Sequence, residues 1–297
     1  MIDFIGHEIN TSINRTKDYH RFLGGSPTNL TVNASRLGLN AVLVASCGQD
    51  GLGDYVIRKL KSNNVDTSYI GKSENFPTSV IFVSKSTETP DFIPYRQADC
   101  EIYENQLPDA IIANAKIFHT TCFALSKNPA RATILNRAKK AAELGLRLSI
   151  DINFSERIWP DREEAKKVLA SYLSNNPLVK VSEDDCYRLF ACVKSEEYIF
   201  DYFHRLGVHT ICLTKGKNGV VVSDLSEGLF FQKAIPIKEI KDTTGAGDAF
   251  WTGFLFAQLY QKNIEESINI AQKLAAIKLQ NVGRLPDNIN LSELIQK

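Results

Sequence analysis

Residues 242–255 read Asp242-Thr243-Thr244-Gly245-Ala246-Gly247-Asp248-Ala249-Phe250-Trp251-Thr252-Gly253-Phe254-Leu255, a glycine-rich turn that leads directly into an apolar segment. Glycine allows the tight turn, and the apolar run after it predicts a helix. The first turn of a helix carries unpaired backbone N–H groups, and the aligned peptide dipoles add partial positive charge there. The junction is therefore predicted to hold an anion such as a phosphate.

Asp248 lies at the edge of this predicted anion site, although a carboxylate repels phosphate. Its presence is explained if it accepts the proton of a hydroxyl that attacks the phosphorus. The backbone of Gly245, Ala246 and Gly247 would then stabilise the transferring group. A Gly-x-Gly turn before a helix is also common, and an acid in the first turn is favoured by capping alone. These residues therefore leave two alternatives, phosphoryl transfer and an ordinary helix start.

The rest of the chain alternates between helices and short apolar strands. Ser26 is predicted to cap a helix with Pro27 in its first turn, which ends near Leu37-Gly38. The apolar run at 41–45 then predicts a strand buried on both faces. Further strands are predicted at 117–121, 147–152, 178–181 and 210–214, and helices around 129–144, 162–173 and 196–206. This alternation predicts an α/β fold with a mostly parallel sheet covered by helices on both faces.

Two segments, about 9–23 and 75–97, interrupt the alternation. They are polar, contain β-forming residues in partial alternation, and lack helical periodicity. They predict a small β-sheet that stands off the main domain as a lid. No linker rich in Gly, Ser or Pro divides the chain, so residues 1–297 are expected to form one α/β domain.

The composition excludes several functional classes. The 297 residues carry a formal net charge of +1 and contain no basic run, so the charge pattern of a nucleic-acid binder is absent. No apolar run approaches the roughly 20 residues of a membrane-spanning helix. Residues 1–6 include an acid where a signal peptide has basic residues, and they predict a strand. The protein is therefore expected to be cytoplasmic, without nucleic-acid or membrane partners.

Three polar clusters follow the predicted strands or open the first helix, where ligands bind in open α/β sheets. They are Gly24-Gly25-Ser26-Pro27-Thr28-Asn29, Asp151-Ile152-Asn153 and Thr214-Lys215-Gly216-Lys217-Asn218-Gly219. Asn29 offers a donor and an acceptor suited to a sugar hydroxyl. Each cluster taken singly is also typical of a turn or a cap, and the third resembles a hairpin turn.

Other phosphate motifs are absent from the sequence. A P-loop around Gly71-Lys72-Ser73 would need glycine at position 66, where the chain has Asp66. The glycines of residues 48–53 do not follow the Gly-x-Gly-x-x-Gly spacing of a dinucleotide site.

Taken in order, the motifs resemble the ribokinase/PfkB-type carbohydrate kinases, and among them the fructokinases. Residues 242–250 with Gly253 are similar to the family's C-terminal signature, and Gly24-Gly25, Asn29, residues 36–38 and residues 48–53 to its N-terminal one. Blocks at 92–99, 115–119, 151–160 and 179–182 are similar to fructokinase blocks in the same order. The resemblance covers nearly the whole chain. It implies a ribokinase-like three-layer sandwich with a small β-sheet lid.

The resemblance also implies roles for individual residues. Asp248 would be the catalytic base, and Gly245, Ala246 and Gly247 the anion hole. The residues expected to bind the sugar are Gly24, Gly25, Asn29, Thr11, Arg96 and Asn153. Those expected along the nucleotide are Thr214, Lys215, Gly216, Gly219, Thr244, Asn281 and Gly283.

ATP and Mg²⁺ are the expected ligands besides the sugar, and a monovalent cation could also bind. Mg²⁺ would be held mostly by ATP oxygens and water, with Asp185 in the acidic position near it. The lid would close over the sugar, exclude water and form a homodimer.

Two positions depart from the family pattern and bear on the substrate. The family's usual sugar-binding Asp, five residues after the first-strand glycine, would fall on Thr11, and Ser155 stands where the family has Arg. A ketose such as fructose is the expected acceptor. The alternatives are a sugar acid such as 2-keto-3-deoxygluconate, whose carboxylate Arg96, Arg157 or Lys180 could pair, a nucleoside, and a sugar-sensing protein without turnover.

Overall fold

Strands and helices alternate along the chain in the computed structural model, which describes residues 1–86, 91–283 and 285–295. The strands are β1 (Ile2–Ile9), β2 (Tyr19–Leu23), β3 (Ala45–Gly48), β4 (Ile70–Ser73), β5 (Val80–Lys85), β6 (Phe92–Tyr95), β7 (Ile117–Thr121), β8 (Arg147–Asp151), β9 (Leu178–Ser182), β10 (Thr210–Thr214), β11 (Val220–Asp224) and β12 (Gly228–Gln232). The α-helices are α1 (Ser26–Arg36), α2 (Gly51–Lys61), α3 (Asp109–Asn114), α4 (Ala130–Glu143), α5 (Arg162–Leu173), α6 (Glu183–Phe190), α7 (Glu196–Arg205), α8 (Ala246–Leu259), α9 (Ile264–Leu279) and α10 (Leu291–Ile295).

The largest sheet has six strands in the order β12-β11-β10-β9-β8-β7. Strands β7 to β10 run parallel, and β11 and β12 are antiparallel to their neighbours. Side chains alternate between the faces of a strand, so Val179 and Val181 of β9 join the core under α4 to α7, whereas Leu178 joins the core under α8 and α9. The predicted fold, a mixed and largely parallel sheet flanked by helices, is confirmed.

A separate sheet of four strands has the order β2-β1-β5-β6. The segments 9–23 and 75–97 supply β2, β5 and β6, apart from residues 87–90, which lie outside the described residues. β1 lies in the middle of this sheet, antiparallel to β2 and parallel to β5. The small sheet therefore includes the start of the chain as well as the two predicted segments.

Residues 41–45 do not form the predicted buried strand. β3 begins only at Ala45 and, in the described part of the chain, pairs with β4 alone. Val42 makes an isolated bridge to Asp66 and keeps 37% of its surface exposed. A cavity lies beside this segment, and the six-stranded sheet ends at β7 on the other side of that cavity. A strand buried on both faces needs a sheet around it, which this segment lacks.

The start of α1 also differs from the prediction. Gly25, with φ of 97°, is the N-cap, and Ser26 is already the first helical residue, so its hydroxyl does not cap the helix. Pro27 in the first turn and Gly38 in the left-handed region, with φ of 76°, agree with the sequence. The strands predicted at 117–121, 147–152, 178–181 and 210–214 and the helices predicted around 129–144, 162–173 and 196–206 are present within one residue of the expected bounds, whereas the strand predicted at residues 1–6 extends to Ile9.

No helix in residues 1–86, 91–283 or 285–295 has the length and apolar character required to cross a membrane.

Candidate active site

A cavity of about 960 Å³ is lined by residues of the small sheet, of β7 and of the N-terminal turns of α1 and α8. Seven of the predicted site residues line it: Gly25, Asn29, Asn153, Asp185, Thr244, Gly245 and Asp248. The structure thus brings three of the six predicted sugar-binding residues, Gly25, Asn29 and Asn153, to the same cavity as the predicted base.

Asp248 lies in the first turn of α8 and receives two hydrogen bonds from the start of α1. The Ser26 hydroxyl donates to its Oδ1 across 2.5 Å, and the Asn29 amide donates to its Oδ2 across 2.8 Å. Helices α1 and α8 pack against each other, which fixes this pairing. The hydroxyl of Ser26, which the sequence suggested as a helix cap, instead orients the predicted base.

The anion site predicted at the start of α8 is formed by the backbone. Gly245 is the N-cap, in the left-handed conformation with φ of 76° that glycine adopts without strain. The Ala246 N–H donates to the Thr243 carbonyl across 3.2 Å. The N–H groups of Gly247 and Asp248 come next, and their position in the first turn leaves them no acceptor within the helix. Together with the helix dipole, they make this end of α8 attractive to an anion.

Asp242 ties this loop to the end of α9. Its carboxylate accepts hydrogen bonds from the Thr244 N–H at 2.9 Å, the Gly283 N–H at 2.8 Å and the Lys278 ammonium at 3.1 Å. Burial raises the pKa of Asp242, but the hydrogen bonds from Gly283 and Thr244 outweigh it, so the pKa lies below its ordinary value. Lys278 also donates to the Asn281 carbonyl across 3.1 Å. Of the predicted nucleotide residues, Thr244 and Gly283 are thus held directly by the Asp242 carboxylate, and Asn281 is linked to it through Lys278.

Asp3 is a cavity residue that sequence reasoning missed. It lies on β1 and lines the cavity, and in the described part of the chain no donor lies within hydrogen-bond distance of its carboxylate. Gly24 packs against it so closely that a Cβ on Gly24 would lie 2.2 Å from the Asp3 carboxyl carbon. The signal that could have found it is the sequence Ile2-Asp3-Phe4-Ile5, because an acid within an apolar strand needs a reason to be buried.

Asp3 and Asp248 both have raised pKa values, and the charge of Asp248 contributes to the shift of Asp3. Burial, and then the charge of Asp151, raise the pKa of Asp248 to about 6, against the hydrogen bonds from Ser26 and Asn29. Burial also raises the pKa of Asp3 to about 6, with a smaller contribution from Asp248. A carboxylate with such a pKa is a stronger base than a free one and is still ionised near neutral pH.

Asp185 lies near these groups but is already engaged. It forms a capping box with Ser182, whose hydroxyl donates to its Oδ2 across 2.5 Å, and its Oδ1 pairs with Arg188 at 3.1 Å. Burial raises its pKa to about 6. The described residues contain no group of three His, Cys, Asp or Glu side chains that could hold a metal ion.

Several predicted residues lie away from the cavity. Thr11 does not line it, and its hydroxyl donates to the Ile9 carbonyl across 3.5 Å, so sugar binding by Thr11 stays a prediction. Arg96 also lies outside it and pairs with Asp99 across 2.6 Å.

The cluster at residues 214–219 is a hairpin turn, as one of its two interpretations predicted. The Lys215 N–H donates to the Gly219 carbonyl across 2.8 Å as β10 turns into β11. Gly219 is required there, because its φ is 99° and a Cβ would lie 2.0 Å from the Gln232 carbonyl oxygen. A role along the nucleotide stays a prediction for Thr214, Lys215, Gly216 and Gly219.

An α/β sheet with a helix-start anion site and a carboxylate held between two helices defines a phosphotransferase type of site. The family model described as pfkB family carbohydrate kinase matches residues 1–288. The chain belongs to this family and is a fructokinase-like carbohydrate kinase.

Individual relatives support the same class. The chain is 32% identical over 269 residues to an ATP-dependent 6-phosphofructokinase of Thermoanaerobacterium thermosaccharolyticum, covering 91% of this chain and 82% of that protein. It is 29% identical to fructokinase-1 of Zea mays, covering 100% of this chain and 94% of that protein.

Solved structures agree with the fold. The structure of an uncharacterized sugar kinase, PH1459, from Pyrococcus horikoshii has a TM-score of 0.86 at 28% identity, covering 99% of this chain and 94% of that one. A second structure of PH1459 contains ATP. The structure of Halothermothrix orenii fructokinase has a TM-score of 0.80 at 32% identity, covering 96% of this chain and 97% of that one.

Proposed function

We propose that this kinase transfers the γ-phosphate of ATP to a hydroxyl of a ketose, with fructose as the first choice, and that Asp248 is the base. The observation that carries the proposal is the pair of hydrogen bonds from Ser26 and Asn29 to the Asp248 carboxylate. They place the polar cluster of α1, the carboxylate and the anion site of α8 in one constellation.

In the proposed reaction the acceptor hydroxyl lies between Asp248 and the γ-phosphate. Its proton passes to the Asp248 carboxylate, its oxygen forms the new bond to phosphorus, and the bond from phosphorus to the β-phosphate oxygen breaks to release ADP. Within the anion hole expected from residues 245–247, the Ala246 N–H already donates to the Thr243 carbonyl, so the N–H groups of Gly247 and Asp248, which have no acceptor within the helix, would stabilise the transferring group.

The charges around the cavity favour a neutral sugar. Asp3 offers a carboxylate, near the N-terminal ammonium, to sugar hydroxyls, and Asn29 and Asn153 add amide groups. The cations considered for a sugar acid are already paired: Arg96 with Asp99, Arg157 with Asp91, and Lys180 with Asp151. A carboxylate substrate would have to break one of these pairs.

Fructose 6-phosphate is the second candidate acceptor. It is favoured by the 32% identity to a protein named ATP-dependent 6-phosphofructokinase. Arg188 lines the cavity and is the cation nearest to Asp185, to which it is already bound. A substrate phosphate would therefore compete with Asp185 for Arg188, which makes the neutral ketose the first choice.

The donor groups of the site fit a magnesium ion that is carried mainly by the nucleotide. Mg²⁺ retains much of its water shell and uses few protein ligands. Since Asp185 already bonds to Ser182 and Arg188, it would accept hydrogen bonds from metal-bound water rather than coordinate the ion. When bound, Mg²⁺ neutralises charge on the phosphate oxygens. Binding of a monovalent cation stays a prediction from the sequence.

The small sheet is proposed to act as the lid and as the surface of a homodimer. Asp3, Ile81 and Val83 line the cavity, whereas the alternate residues Phe4 and Phe82 belong to an aromatic cluster on the opposite face. Tyr19 and Tyr95 complete this cluster, and Tyr95 is 55% exposed, so this face offers the proposed dimer surface.

The dimer is tested with the variant Tyr95→Asp. The molar mass measured by light scattering should shift from that of a dimer to that of a monomer, and an unchanged mass would contradict this interface.

The acceptor is tested by measuring ATP consumption with fructose, fructose 6-phosphate, tagatose, ribose, 2-keto-3-deoxygluconate and common nucleosides. The proposal predicts the highest kcat/KM with fructose. A preference for fructose 6-phosphate would support the second candidate acceptor. A preference for the sugar acid or for a nucleoside would contradict both candidate acceptors. No turnover with any acceptor would support a sugar-sensing protein. The expected cytoplasmic location also stays a prediction.

A further inference from the structure

Lys180 is a buried cation to which the proposed reaction assigns no part. It lies on β9 in the middle of the six-stranded sheet, directly opposite Asp151 of β8. Its ammonium bonds to both oxygens of the Asp151 carboxylate, at 2.8 and 2.9 Å. The Lys180 and Asp151 side chains are 7% and 4% exposed, so the pair is withdrawn from water.

The Lys180 ammonium also lies directly beneath the anion site. A Cβ placed on Gly247 would be 3.2 Å from Nζ of Lys180 and 3.5 Å from its Cε. Glycine at 247 therefore allows the ammonium to approach the backbone of the first turn of α8. The ammonium therefore lies within hydrogen-bond distance of Asp151 and close to the backbone of the anion site at the same time.

Several carboxylates surround this ammonium. The charges of Asp151, Asp185 and Asp248 all act on Lys180, and the charge of Asp248 also acts on Asp3 of β1. The other cations nearby have partners of their own: Arg188 on α6 pairs with Asp185, and Lys278 on α9 pairs with Asp242. ATP would bring further negative charge, so the site needs a cation close to the transferring phosphate.

We propose that Lys180 is a positioning residue for phosphoryl transfer: its ammonium, anchored by Asp151 beneath Gly247, supplies positive charge behind the anion site and opposes the negative charge around Asp248. Moving two charges out of water is costly, and well-packed apolar residues often stabilise a core as well as a buried ion pair does. A buried pair at the proposed phosphate site is therefore better explained by function than by stability. This inference rests on the proposed roles of Asp248 and residues 245–247.

The test compares Lys180→Met with the double variant Asp151→Asn/Lys180→Met. The single variant leaves a buried carboxylate without its partner, which lowers stability for purely structural reasons. The double variant removes both charges, so its unfolding temperature should return close to that of the wild type. Lys166→Met is the matched control, because Lys166 forms an ion pair with Glu163 on α5, outside the cavity.

Steady-state kinetics with ATP and the best acceptor should be measured from pH 5.5 to 8.5. In Lys180→Met, the acid limb of kcat/KM should move up by about one pH unit, because a cation that favours the Asp248 carboxylate is lost. In the double variant, kcat at pH 8 should stay at least about tenfold below wild type despite the recovered stability, because the positive end of the pair is gone. Lys166→Met should match the wild type in both respects.

Wild-type kcat and KM for ATP in the double variant would overturn the inference, since the pair would then be structural only. An unshifted acid limb in Lys180→Met would also overturn it. These results are distinct from a failure of the proposed function. If Asp248→Asn turns over normally, the base is misassigned, whereas if it is inactive and both Lys180 variants match the wild type, only the present inference fails.

Discussion

The side-chain amide of Asn29 donates to the Oδ2 of Asp248 across 2.8 Å, although the two residues are 219 positions apart in sequence. Asn29 lies on α1 and Asp248 in the first turn of α8, and both line the cavity. The bond helps to hold the carboxylate in one orientation. The two signatures that identify the family thus meet at one hydrogen bond.

Replacing Asn29 by Ala should weaken sugar binding more than nucleotide binding. The change removes an amide from the sugar side and frees Oδ2 of Asp248, while the backbone of residues 245–247 is unchanged. Loss of a hydrogen bond to a charged group corresponds to roughly 10- to 100-fold in affinity. Calorimetry with sugar and with ATP measures both effects. Ser35→Ala, on the same helix but outside the cavity, is the control, and a larger loss of ATP affinity than of sugar affinity would contradict the assignment.

Replacing Gly24 by Ala should raise KM for the sugar and leave KM for ATP nearly unchanged. The added methyl group would lie 2.2 Å from the Asp3 carboxyl carbon, so the Asp3 carboxylate must move. Gly51→Ala is the matched control, because a Cβ at Gly51 meets nothing within 4 Å. Equal kinetics for the two alanine variants would show that Asp3 does not bind the sugar.

The pH profile of kcat/KM should fall below about pH 6, where Asp248 becomes protonated. Asp3→Asn should move this acid limb to lower pH, because the charge of Asp248 raises the pKa of Asp3 and a Coulombic interaction between two carboxylates is reciprocal. The same change should raise KM for the sugar about tenfold or more, as expected for a lost charged hydrogen-bond acceptor. A limb that stays in place, or moves upward, would contradict the electrostatic coupling of the two carboxylates.

The raised pKa of Asp248 has a consequence for stability. Its folded-state pKa of about 6 lies above the ordinary value of 3.8, so between these values the folded protein binds more protons than the unfolded chain. The ionised carboxylate therefore destabilises the fold as pH rises through this window. Asp248→Asn should raise the unfolding temperature at pH 8 and change it little at pH 3.5, which calorimetry at the two values can check. A lower unfolding temperature at both values would show that the carboxylate stabilises the fold.

Much of the fold could be predicted because its strands and helices have strong local patterns. The predicted strands at 117–121 and 210–214 combine apolar runs with clear boundaries, and both are present. Residues 41–45 have the same apolar pattern, but their state depends on neighbouring strands, which local sequence does not report. The start of α1 differs for a similar reason, since the Ser26 hydroxyl has a partner 222 positions away.

The candidate site was predicted where the residues carry their chemistry in a motif. Residues 245–248 and Asn29 lie together as the motifs implied. Thr11 was predicted as a sugar-binding residue from its spacing after Gly6. The acid that lines the cavity is Asp3, and its position depends on the pairing of β1 with β2 and β5, which the sequence does not specify. The buried contact between Lys180 and Asp151 likewise depends on strand register, which the sequence alone does not specify.

The most direct test of the account is single-turnover and steady-state kinetics of Asp248→Asn at pH 8, with ATP affinity measured in parallel. Asn keeps the size of the side chain and can still bond to Ser26 and Asn29, but it cannot take up the proton. We expect kcat to fall by about 10² to 10⁴, with ATP affinity nearly unchanged. Asp54→Asn, which alters an acid in the first turn of α2 away from the cavity, should retain full activity. Near-normal turnover of Asp248→Asn would contradict the central claim that this carboxylate is the base.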